Sequence, residues 1–128
     1  MSQSACHTRA MLREDWLQRQ VKALSELVAR VAGVLRGAQP GEALELVRDE
    51  TARVVGADPA VLAVVDERTV FVLLGEDPAR VARYAVLIGL EADVLEATGE
   101  GERALRLRVR AESLSAAALQ RAEDAARP

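Results

Sequence analysis

Leu17, Val21, Leu24, Val28, Val31 and Leu35 alternate by four and three along the first regular stretch of this chain. That spacing is the a and d seam of a heptad pattern, and it predicts a helix from about Arg13 to Arg36. At ~1.5 Å per residue the helix would be about 36 Å long. A second row, Trp16, Ala23, Leu27 and Val34, runs beside the first, while Gln18, Arg19, Lys22, Glu26 and Arg30 form the polar side. A face two rows wide exceeds what one neighbouring helix covers, and a first helix self-paired in a homodimer would also explain that length. Half of the residues are hydrophobic, yet Trp16, Phe71 and Tyr84 are the only aromatics. The core must therefore be built from Ala, Val and Leu, which suits closely packed helices. A length of 128 residues predicts one domain.

The later elements follow from their stop and start signals. Gly37-Ala38-Gln39-Pro40-Gly41 ends the first helix, with Gly37 suited to the left-handed position and Pro40 to the next first turn. A second helix is expected from about Pro40 to Val55, with Ala43, Leu44, Val47, Thr51 and Val54 inward and Gly56 as its stop. In the middle, "VLAVV" (61–65) and "VFVLL" (70–74) flank "DERT", which by propensity alone is a β-hairpin. Three helix-start signals oppose it: Asp58-Pro59, Asp66-Glu67 and Asp77-Pro78. No other strand is visible to support a hairpin. Two short helices, about 59–64 and 67–74, are the preferred reading, and the hairpin is the alternative. A longer helix follows from about Pro78 to Thr98, with Val81, Tyr84, Ala85, Ile88, Ala92 and Leu95 inward. After the Gly99-Glu100-Gly101 break, a last helix begins near Glu102 and carries Ala104, Leu105, Leu107, Val109, Ala111, Leu114 and Ala118. The expected fold class is all-α, an irregular bundle of antiparallel helices.

Two segments resemble each other. "VLRGAQPGEALELVRDE" and "VLEATGEGERALRLRVRAE" each place a Gly break, a short acidic turn and an Ala-Leu pair at the start of a returning helix. The second resembles the turn of a tetratricopeptide (TPR) unit. Ala43 and Ala104 lie much further apart than the roughly 34 residues of a tandem array, so the resemblance implies two TPR-like hairpins and no regular solenoid. From Met11 onward the layout also resembles a family of small bacterial proteins of unknown function. Its members open with Met shortly before an Asp-aromatic-hydrophobic-x-Arg motif, here Asp15-Trp16-Leu17-Gln18-Arg19, and close in a TPR-like hairpin. The resemblance implies a helical middle and carries over no catalytic residue.

Chemistry-bearing patterns are few. Cys6 and His7, the sole Cys and His, sit together in residues 1–10, which are expected to be a loose tail ahead of a domain spanning 11–128. Two ligands do not make a metal site, so no metal and no cofactor are expected. No phosphate-binding glycine loop occurs, because "GEGER" (99–103) lacks the Lys-Ser/Thr that would hold phosphate and metal. Asp49-Glu50 and Glu123-Asp124 point about 100° apart on a helix and cannot converge on one atom. Formal net charge is −3, which argues against a general nucleic-acid or anionic-membrane surface. No apolar run approaches the ~20 residues of a membrane span. A lone Cys and no apolar leader fit a cytoplasmic setting.

Two candidate sites remain. Asp15 and Arg19 are spaced to pair on the first helix, leaving Asp15, Trp16, Arg19 and Gln20 as a candidate partner surface with Trp16 expected on its own domain. Arg103, Arg106 and Arg110 share one face of the last helix and form a candidate anion site. The expected function is non-enzymatic protein association, with a homodimer the expected form. The alternative is a small regulatory protein that binds an anionic ligand or nucleic acid through those three arginines.

Overall fold

Residues Pro78–Ala97 form a helix that is apolar on nearly every side. Val81, Ala82, Tyr84, Ala85, Leu87, Ile88, Leu90, Ala92, Val94 and Leu95 are all buried. A helix apolar all round belongs at the centre of a core, and the others pack around it. In chain order the elements are α1 (15–22), α2 (Ser25–Arg36), α3 (Pro40–Val55), α4 (Pro59–Leu62), α5 (Glu67–Leu73), α6 (Pro78–Ala97) and α7 (Gly101–Ala126). The computed structural model describes residues 15–127, and no strand occurs among them. The tail expected at residues 1–10, with Cys6 and His7, lies outside the described residues.

The middle of the chain is helical, and the three aspartates explain why. Asp58 accepts from the Ala60 amide at 2.9 Å, Asp66 from Thr69 at 2.8 Å and Asp77 from Ala79 at 3.0 Å. Each occupies one of the amides that a helix start leaves without a partner. The Thr69 side chain and amide together hold the Asp66 carboxyl below its ordinary range. α4 and α5 are too short to stand alone, and they survive by burying Leu62, Val70 and Phe71 in the shared core.

The first helix is not continuous. At Leu24 the backbone moves to φ −110°, ψ 11°, and its amide bonds the Val21 carbonyl three residues back. Beyond this turn Leu24, Leu27 and Val31 are buried, whereas Val21 is 48% exposed. The heptad seam is thus cut after Leu17. Neither Gly nor Pro marks the position.

α2 ends differently from the expected Gly37 stop. Gly37 keeps φ −78°, and the left-handed residue is Ala38 at φ 58°. The Gln39 amide returns to the Val34 carbonyl and the Ala38 amide to Leu35, the bonding pattern of a Schellman motif. The same pattern closes α6, with Gly99 left-handed and the Glu100 amide on the Leu95 carbonyl.

The α6–α7 hairpin packs through its small residues. Ala92, Leu95 and Ala104 form a cluster with Leu107 along this contact, and Ala118 and Leu114 are fully buried further on. Leu105 and Val109, expected inward, are 62% and 59% exposed. Close approach of two helices favours alanine at the contact, so the larger neighbours fall on the opposite side. α7 continues to Ala126.

Three arginines tie the elements together. Arg80 donates to the Val55 carbonyl at the end of α3 and to the Leu74 carbonyl, at 3.2 Å, at the end of α5. Arg110 donates to the Leu62 and Val65 carbonyls beyond α4, both at 2.7 Å. Cationic donors at helix C-termini satisfy exposed carbonyls and suit the helix dipole. Arg121 sits 3.7 Å above the centre of the buried Phe71 ring and pairs with Glu76.

Candidate functional site

α3 and α7 both lie against α6, and a groove runs between them over one largely buried face of α6. Tyr84, Leu87, Ile88 and Glu91 recur at helical spacing along that face and form the floor of this groove of about 760 Å³. The α3 and α4 segments form one bank, α7 the other. Such a volume lies within the roughly 300–1,000 Å³ of sites that take small organic ligands.

Four arginines and three carboxylates line the groove. Most are already engaged within the chain. Arg48 Nε reaches Glu91 Oε1 at 3.2 Å, joining α3 to α6. Arg103 pairs with Glu100 at 3.2 Å. Arg110 is held by the two carbonyls described above, although its buried Nε has no hydrogen-bond partner. Asp58 caps α4. That leaves Arg106 on the α7 bank and Asp49 on the α3 bank; both are exposed, and neither makes an ion pair or hydrogen bond among the described residues.

The floor is dry by comparison. Tyr84 is 2% exposed, and burial pushes its phenol above the ordinary value, opposed by the nearby Arg110 guanidinium. Thr51 is also buried in the lining, and its hydroxyl donates to the Val47 carbonyl at 2.7 Å. Among the described residues no three His, Cys, Asp or Glu side chains gather as metal ligands. The arrangement suits binding by charge and apolar contact.

The candidate residues of the sequence thus fall in different places. Arg103, Arg106 and Arg110 do share one groove, but two of them are spoken for. In the first helix Trp16 packs against the main core, as expected. Gln20 donates to the Trp16 carbonyl at 3.4 Å and accepts from Arg83 Nε on α6 at 3.3 Å, so it too meets its own domain. Asp15 and Arg19 are exposed, and no ion pair joins them among the described residues. Asp49, considered only as the neighbour of Glu50, is a groove residue, whereas Glu50 pairs with Arg53 along α3. Tyr84 and Glu91 carried a usable signal in their seven-residue spacing. Reading it required knowing how a helix buried along most of its faces sits between α3 and α7.

No described helix is long and apolar enough to cross a membrane. Comparison with known protein families, with curated proteins and with solved structures finds no match for this chain.

Proposed function

We infer that this protein is a non-enzymatic helical module that acts by association with another protein chain, in the first instance a second copy of itself. The observation that carries this reading is the outer side of α7. Leu105 and Val109 stand one helical turn apart, both well exposed, on the side away from the buried Ala104, Leu114 and Ala118. Large apolar side chains paired on a solvent face are the kind of feature that marks a contact surface. The wide apolar face of the first helix, which prompted the same expectation, gives less support, since Leu24, Leu27 and Val31 are used within the chain. The resemblance of the turn before Ala104 to a tetratricopeptide unit, read from the sequence alone, fits the same role. The alternative, an anion or nucleic acid held by Arg103, Arg106 and Arg110 together, has only Arg106 unengaged, and a nucleic-acid backbone calls for several free cations.

Sedimentation equilibrium at micromolar concentration tests the reading. A dimer is expected, and the pair Leu105→Glu with Val109→Glu should shift it to monomer with an unchanged thermal midpoint at high dilution. A wild-type chain that sediments as a monomer overturns self-association.

A further inference from the structure

We propose that the groove floored by α6 binds a small zwitterion with an apolar body, a short apolar peptide, with its carboxylate on Arg106 and its ammonium toward Asp49. The inference is independent of the association surface on α7. It starts from the charges that the fold leaves over. Of the seven ionised side chains on the lining, Arg48 and Glu91 satisfy each other, Arg103 pairs with Glu100, Arg110 holds two carbonyls and Asp58 caps a helix. Only one cation and one anion remain, and they stand on opposite banks.

The remaining pair is complementary in sign but carried by separate helices, and the lining they share also holds Pro59, Ala60, Ala63 and Leu107. A ligand with a single negative charge would meet Arg106 but leave Asp49 uncompensated beside it. One with a single positive charge would have the converse problem. A molecule with opposite charges at its two ends satisfies both, and an apolar body between them meets Pro59, Ala60, Ala63 and Leu107, which keep exposed surface on the lining. Arg106 is suited to its part because a guanidinium presents two parallel donors to a carboxylate. Asp49 supplies an acceptor for an ammonium group. The groove is large enough for more than one residue, so length is left to the experiment.

The test is a titration of the full chain, followed by amide NMR at Ala52, Ala60 and Ala63 on the groove wall, with leucine, dileucine and trileucine. Each peptide is compared with its N-acetyl form, which lacks the ammonium, and its C-terminal amide, which lacks the carboxylate. At least one free peptide should bind about tenfold or more tightly than either blocked form, the loss expected for one charge-assisted contact. In Arg106→Ala the advantage of the free carboxylate should vanish while that of the ammonium persists. In Asp49→Asn the pattern should reverse. Both side chains are exposed and unpaired, so neither change should alter the thermal midpoint. The proposal is overturned if no peptide perturbs the groove amides, if free and blocked forms bind equally, or if either variant affects both ends alike.

Discussion

At the scale of single residues, the fold depends on a few polar side chains that finish helix ends. Arg80 spans two of them, at Val55 and Leu74. Arg80→Ala should cost about 1–3 kcal/mol in urea unfolding, because two part-buried carbonyls lose their donor. Arg80→Lys should recover little, since one ammonium lacks the fork that reaches both. Ala38 offers the opposite case. Its φ of 58° strains a side chain that glycine lacks, so Ala38→Gly should raise stability by about 0.5–1 kcal/mol, read as a higher thermal midpoint. These two residues also show how far the sequence could be read at this scale. Asp58, Asp66 and Asp77 act within three residues of themselves, so their capping role was legible. Arg80 acts on a carbonyl 25 positions earlier, which only the assembled fold brings near.

At the scale of elements, the boundaries of α3, α5, α6 and the helical character of the middle were readable from caps and breakers. Two features were not. The break at Ala23-Leu24 has no Gly or Pro, and it arises where the chain exchanges one bonding ring for a tighter one. The orientation of α7 escaped for a different reason. Apolar periodicity weights Leu and Val above Ala, whereas the helix contact selects the small side chains. Neighbouring positions should therefore respond in opposite ways to a change of size. Ala104→Leu should cost about 1–3 kcal/mol in thermal or urea unfolding by overfilling the α6–α7 contact. Leu105→Ala should change stability by no more than about 0.5 kcal/mol. Equal costs at the two positions would contradict the packing described here.

At the scale of the whole molecule, the groove exists because α3 and α7 flank one side of α6 without closing over it. Its basic bank was visible in the sequence as an arginine face. Its opposite bank comes from α3 and α4, far earlier in the chain, so the site as a unit was not. The same central position of α6 has a consequence for how the protein is made. The helix on which the others pack comes sixth of the seven among the described residues, so a growing chain that has reached residue 77 holds, of these, only peripheral elements, several of them too short to persist alone. The 20 residues of α6 and 26 of α7 follow at ribosomal speed, which amounts to several seconds. Until α6 emerges, Leu27, Val31, Val47, Leu62 and Phe71 lack the helix around which their core forms. The nascent chain is therefore most prone to aggregation, and most open to chaperones, just before its central helix leaves the ribosome.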